Sequence, residues 1–223
     1  MKHVYFFFLL ISTIAFSQDN ITKTLGEFST LKVYDLINVE LIQSDSNKII
    51  IAGEHKSDVS VIQKNDILKI RMRTNNMFNG SQTQVKLHYT SVDVIDANEG
   101  AIISSQDPIK QYELTLKTQE GAQLSVLSDT KLLNIKCLTG GAITVSGSTE
   151  KQNITLRTGG IYFGSNLVSK YSDVNIKTGG EASVKTLNDL NIRIFSGGDV
   201  FVYGKPKAIT QKRLFGGRVI FKD

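Results

Sequence analysis

The chain holds one cysteine, two prolines and no tryptophan in 223 residues. With Cys137 as the only thiol, no intrachain disulfide can form, even in an oxidising compartment. Its apolar neighbours make it read as a small buried hydrophobe on a strand. Beyond His3 the only histidines are His55 and His88, and neither has a cysteine or paired carboxylate at metal-ligand spacing. No metal and no cofactor is therefore expected. The chain contains no HExxH, no GxSxG, no P-loop and no GxGxxG between a strand and a helix, which removes the common hydrolase and nucleotide-binding motifs. Helix-like spacing with caps is absent throughout. The formal charge is +5, with basic residues scattered among acidic ones. That pattern lacks any nucleic-acid motif, so no nucleic-acid partner is expected.

The long apolar run is at the N-terminus. Met1-Lys2-His3 precedes an apolar stretch from Val4 to Phe16 that ends in Ala15-Phe16-Ser17. A charged start, an apolar middle and a small-x-small end make a secretory signal peptide over residues 1–17, with cleavage before Gln18. The run is short for a membrane-spanning helix of about 20 residues. No cysteine follows it, which excludes lipid anchoring at a new N-terminal cysteine. Removing it takes away Lys2 and leaves +4 over the mature chain. The expected location is the periplasm, the cell surface or the extracellular medium, with no transmembrane segment after cleavage.

Residues 18–26 read as a flexible polar leader, and residues 27–223 as a single domain. Its first part, 27–90, is an irregular β region in which Leu31–Val33, Asn38–Leu41, Ile49–Ile51, Val59–Ile62, Ile67–Met72 and Val85–Tyr89 are candidate strands. Residues 74–83 have no usable period and read as an exposed loop, with Met77 and Phe78 near its tip.

From residue 91 onward a glycine pair keeps returning, in LTGGAITV, RTGGIYF, KTGGEASV, FSGGDVFV and LFGGRVIF. The second glycines are Gly141, Gly160, Gly180, Gly198 and Gly217, at steps of 19, 20, 18 and 19. Two degenerate copies, around Gly100 and Gly121, carry Glu in place of the first glycine. Aligned on this marker, Ile135, Ile154, Val174 and Ile192 share one column and Ile143, Val200 and Val219 another. Val94 and Ile102 join these columns when Gly100 serves as the marker. Two alternating strands per repeat, joined at the glycines, imply an all-β solenoid: a right-handed parallel β-helix of about seven rungs. The hexapeptide pattern of left-handed forms is absent. The glycines are structural corners, where a residue without Cβ takes positive φ or lets backbones pass closely.

The polar columns hold the functional candidates. Asn134, Asn153, Asp173 and Asn191 form an amide-rich ladder, and Thr139, Thr158, Thr178 and Ser196 a hydroxyl ladder. Lys136, Arg193 and Lys212, with Thr155 and Asn175 between them, form an outer stripe that Arg157 and Lys177 extend. These five cations are the candidate binding stripe, for a glycan or for an envelope or host protein. Acid–base chemistry would need clustered carboxylates. The available pairs are Glu99 with Glu120 and Glu181 with Asp199, and no third acid joins either column, so no catalytic residue is assigned.

The TGG repeat, the opening FSTLKVYDLINVELIQSDSNKIIIAG and the later DILKIRM resemble the auto-transporter adhesin head domain family, also called the head GIN domain. The likeness runs from about Glu27 to Asp223. It implies a right-handed β-helix-like fold in the bacterial cell envelope and an adhesin role, and brings no catalytic residues. The expected function is thus an exported, non-enzymatic binding or structural protein of the envelope. Two alternatives are a β-helix polysaccharide lyase or hydrolase and a self-assembling envelope module. The last strand runs to Lys222-Asp223 without an evident cap, which would allow a homo-oligomer through solenoid ends.

Overall fold

The computed structural model describes residues 20–222, so the expected signal peptide lies outside the described residues. Sixteen strands join one continuous sheet wound into a β-solenoid of about seven turns. Five long strands make its body: β9 (Ile102–Thr118), β10 (Gln123–Cys137), β11 (Ala142–Leu156), β12 (Ile161–Thr178) and β13 (Glu181–Ser196). They pair in parallel in sequence order. Beyond β13 the last layer divides into β14 (Asp199–Tyr203), β15 (Ala208–Phe215) and β16 (Arg218–Lys222), with β15 on β13 and β16 on β14.

Alternation decides which side chains enter the coil. Ile95, Leu116, Ile135, Ile154, Val174 and Ile192 pair in successive layers and are all buried. Opposite them Ile103, Leu124, Ile143, Tyr162, Ala182 and Val200 form a second buried ladder. Each fully buried Ile, Leu or Val contributes about 1.5–3 kcal/mol.

This register corrects the marker at its two weak copies. Gln123 pairs with both Ile102 and Ala142, so the residues aligned with Gly141 are Ala101 and Ala122, not Gly100 and Gly121. Val94 and Ile102 accordingly face outward, and Ile95 and Ile103 occupy the core columns. The reason is the turn itself. Glu99-Gly100, Glu120-Gly121, Thr139-Gly140 and Thr158-Gly159 each hold two consecutive positive φ angles, closed by a hydrogen bond between the flanking residues. That is the type I′ geometry, which favours glycine at its second central position.

The two glycines of a pair therefore answer different needs. Gly159, at φ +76°, has open space around it, whereas a Cβ on Gly160 would lie 2.2 Å from the Cys137 carbonyl oxygen of the layer below. From Gly180 onward the turn changes, and the second glycine takes positive φ as well as the close approach.

The uneven repeat length is absorbed at a second, softer bend in mid-strand. Register shifts fall between Ser125 and Leu127, between Thr144 and Gly147 and between Gly164 and Val168. Pro108 stands at this bend in β9, where a missing backbone N–H is tolerated. The bend also holds a buried polar network that the periodic columns do not reveal. The Tyr162 hydroxyl donates to Gln152 Oε1 at 2.8 Å, and Gln152 Nε2 donates to Ser169 and Ser172. Ser172 in turn meets Thr186 at 2.7 Å, and all five residues are essentially inaccessible. Gly164 makes room for the Tyr162 ring, since a Cβ there would fall 2.5 Å from it.

Residues 27–90, expected as an irregular β region, contribute layers of the same coil and its outer covering. Strands β2 (Thr30–Val33) and β3 (Asn38–Gln43) pair in parallel with β8 (Val94–Ala97) and β9. Strands β6 (Ile67–Met72) and β7 (Thr83–Tyr89) stack in parallel on β2 and β3. Antiparallel strands β4 (Lys48–Gly53) and β5 (Val59–Lys64) then flank β7 and β6. The expected flexible leader, 18–26, is corrected in part. Ile21–Thr24 is strand β1, paired antiparallel to β4, with Ile21 and Leu25 packed against the core. Residues 74–83 form the corner between β6 and β7, and the Phe78 N–H and Gly80 N–H are held by Asp35.

Gly160→Ala is expected to lower stability by about 3 kcal/mol or more, because the clash is with backbone inside a packed stack. Gly159→Ala should lose only about 1–2 kcal/mol, from its left-handed φ alone. Urea denaturation of the two variants checks this order. Equal losses would mean that the close approach carries no energy.

Candidate functional site

The outer stripe is a true ladder. Lys136 pairs with Thr155, Thr155 with Asn175, Asn175 with Arg193 and Arg193 with Lys212. Their neighbours on either side point inward, so alternation places all five on the outside, with Lys136, Arg193 and Lys212 exposed. Lys117 extends the column below Lys136. Arg157 follows Leu156 and Lys177 follows Ile176, a paired couple, so these two exposed cations stack beside the first column.

The structure brings only part of the stripe into one concavity. Lys177, Arg193 and Lys212 share a groove of about 240 Å³ with Asn175, Phe195 and Leu214. A neighbouring groove of about 380 Å³ joins Arg193 to Thr155, Asn175 and Asp173. Lys136 and Arg157 line neither groove and lie further along the same face. Phe195 and Leu214 were not legible as site residues, although both stand at outward positions where polarity was expected. They are 52% and 56% exposed, and Phe195 meets Phe215 edge to face at 5.5 Å. That break in outward polarity was the available signal.

The amide ladder next to the stripe orders its base. Asn153 donates to Asn134 at 2.9 Å, Asn191 to Asp173 at 3.0 Å, and Asn134 to Glu113 at 2.8 Å. Burial works to raise the Asp173 carboxyl. Hydrogen bonds from Lys151 and Asn191, with the charges of Lys151 and Arg193, outweigh it and hold that carboxyl below the usual range. The hydroxyl column has no such bonds. Thr139 and Thr158 stand exposed at the corners with positive φ.

The carboxylate pairs part company. Glu181 pairs with Asp199 and Asp199 with Arg218. Arg218 grips Asp199 with two donors, Nε at 2.9 Å and Nη2 beside it, and holds its carboxyl low. A carboxylate neutralised in this way is a poor acid or base.

At the other corner a third acid does join the column, correcting the expectation of a pair. Val33 pairs with Ala97 and Ala97 with Thr118, so Asp35, Glu99 and Glu120 stack at successive turns. Asp35 belongs to a turn 64 residues upstream of Glu99, outside the glycine repeat. It is fully buried and accepts from the Met72 N–H at 3.0 Å and the Phe78 N–H at 3.3 Å, with Arg71 at 3.7 Å. Glu99 and Glu120 line an open groove with Leu36 and Phe78. Burial, then the charge and hydrogen bond of Asp35, push the Glu99 carboxyl up, against the pull of Arg71.

Two scarce residue types are accounted for by their surroundings. Cys137 is buried, and burial pushes its thiol up to about 12, so it has no nucleophilic thiolate at neutral pH. The His55 ring meets the Asn79 amide at 3.3 Å, and burial with Lys48 and Lys86 holds His88 below its usual range.

With this geometry in view, comparisons with known proteins are informative. The family model "Putative auto-transporter adhesin, head GIN domain" matches residues 27–206. A "putative adhesin" from Bacteroides fragilis NCTC 9343 superposes with a TM-score of 0.83 at 13% identity, covering 92% of this chain and 98% of its own. A "putative adhesin" from Parabacteroides distasonis ATCC 8503 gives 0.74 at 15%, covering 92% and 96%. One from Parabacteroides merdae ATCC 43184 gives 0.73 at 18%, with the same coverage. At such identities the likeness is one of fold. No curated protein matches the chain.

The corner acids make a pH prediction. A carboxyl raised in the folded state binds its proton more tightly there than in the unfolded chain. Its contribution to stability is therefore full below the unfolded glutamate pKa of about 4.3 and is lost as pH rises through the folded value. Glu99→Gln should raise the Tm at pH 7, and this gain should shrink as the pH falls towards 4. Thermal melts across that range check it, and a Tm lowered at pH 7 would contradict it.

Proposed function

The chain belongs to the auto-transporter adhesin head GIN domain family, and from that premise we propose that it is an exported, non-enzymatic binding module of the bacterial cell envelope. Its lateral basic ladder is the binding face, and the ligand is an anionic glycan or an acidic segment of an envelope or host protein. The observation that carries this reading is the register of the stripe. Arg193 and Lys212 are ladder partners, as are Lys117 and Lys136, so each pair of cations grows from strands about 4.8 Å apart on a fixed frame.

A frame of this kind lowers the ordering cost of binding. The side chains grow from hydrogen-bonded strands, and the amide ladder beneath them fixes the strand surface. Repeated cations suit a polymer with repeated anions, which several weak contacts can hold together. Phe195 and Leu214 add an apolar wall to the groove shared by Lys177, Arg193 and Lys212, where the flat face of a sugar or an apolar side chain can rest. Export follows in this reading from the N-terminal signal peptide, with the mature chain starting at Gln18.

Lys136→Glu, Arg157→Glu and Arg193→Glu together test the face. All three residues are exposed, so each change should alter stability by less than about 0.5 kcal/mol. Binding of the mature chain to acidic envelope polysaccharide and to host matrix protein should fall by about tenfold or more, as expected for losing several cations from one face. Unchanged binding would reduce the stripe to a solvated surface.

A further inference from the structure

The net charge of the protein is concentrated in one place. Residues 1–199 hold twenty basic and twenty acidic residues, whereas residues 200–222 hold six basic residues and no acid. The six are Lys205, Lys207, Lys212, Arg213, Arg218 and Lys222, and all lie on the last layer, in β15, β16 or the loop before β15. Arg218 is neutralised by Asp199. The other five have no carboxylate partner among the described residues.

The same layer displays apolar side chains. Ile209, Leu214, Phe215 and Phe221 are 39%, 56%, 64% and 56% exposed. Lys205, Lys222, Pro206, Ile209 and Phe221 line one groove of about 390 Å³, so charge and apolar surface alternate over a few ångströms. Every residue of β15 is exposed, and β15 and β16 each pair with one strand among the described residues.

A second copy of this chain does not suit this surface. Two such ends brought together would oppose five unpaired cations with five. A further strand stacked on β15 would also bury Gln211 and Arg213, whose ladder partners one layer below are Ile192 and Ile194. Inward-pointing polar and charged residues at an edge act against continued pairing. The expectation of end-to-end assembly is thereby disfavoured at this end. A soluble acidic polymer would engage the cations but leave the four apolar side chains in water.

We propose that this terminal layer docks on an anionic lipid membrane. Lys205, Lys207 and Lys222 lie against headgroup phosphates, and Ile209 and Phe221, which share a groove with Lys205 and Lys222, enter the boundary with the acyl chains. Basic residues combined with Phe and Leu are what such an interface accommodates, because charge attracts the layer and apolar side chains hold it there. The site is distinct from the lateral face and shares only Lys212 and Leu214 with it.

The test uses the chain from Gln18, which retains every described residue and lacks the N-terminal apolar run. It is sedimented with phosphatidylcholine vesicles, and with vesicles in which a third of the lipid is phosphatidylglycerol. Binding is expected to the anionic vesicles alone. Each surface cation is worth about fivefold in membrane affinity, so Lys205→Glu/Lys207→Glu/Lys222→Glu should weaken it by about a hundredfold or more. Ile209→Ser/Phe221→Ser, at two residues that do not line the lateral groove, should weaken it by about tenfold or more, as expected when buried CH₂ groups are removed. The latter variant should keep its affinity for soluble polygalacturonate, and thermal melting reports whether each variant is folded. Absence of binding to anionic vesicles overturns the proposal. So does vesicle binding that is indifferent to Ile209→Ser/Phe221→Ser, which would assign the layer to acidic polymers instead.

Discussion

Each turn of this solenoid is fastened by a hydrogen bond at its tightest corner. The Gln123 N–H donates to Ala101, Ala142 to Ala122, Ile161 to Gly141, Glu181 to Gly160, Asp199 to Gly180 and Arg218 to Gly198, all at 2.9–3.1 Å. Each acceptor is the residue just past the turn in the layer below. The close approach that makes these bonds leaves no room for a side chain at most of those positions, so glycine recurs there once per turn. With the corners locked in register, core ladders stack isoleucine on isoleucine, and outer columns stack amide on amide and cation on cation. The surface columns thus inherit their alignment from a contact they do not touch.

The columns were legible because alternation and a period near 19 residues leave only one way to stack the strong repeats. The two weak repeats were misaligned by one residue, since Glu-Gly fills the central turn positions and alanine takes the close approach. A slip of one residue reverses every side chain, which is why Ile102 and Ile103 exchanged roles. Three further features had no periodic signature. Asp35 reaches the corner acids from a coil layer that lies outside the repeat. The network of Gln152, Tyr162, Ser169, Ser172 and Thr186 occupies the bend where insertions fall, so its members share no fixed spacing. The scattered appearance of the basic residues hid a balanced body and a cationic last layer.

These features divide the surface between two chemistries on one scaffold. The lateral face presents cations at strand spacing beside an ordered amide ladder, which suits an extended anionic polymer or acidic chain. The last layer presents cations among exposed Phe, Leu and Ile side chains, which suits the edge of a bilayer. The first site runs along the solenoid and the second closes its end, so occupying one leaves most of the other free. The lateral site stands on strands alone, whereas the terminal site also draws Lys205 and Lys207 from the loop before β15.

The central claim is that the corners are sealed into the stack and are not surface turns that open independently. Residue-resolved amide hydrogen exchange of the mature chain tests it most directly. The amides of Ala142, Ile161, Glu181 and Asp199 should exchange as slowly as those of the core strand residues Ile135 and Ile154, in one cooperative unit. Fast, independent exchange at those four corner amides, with the strands still protected, would contradict the account.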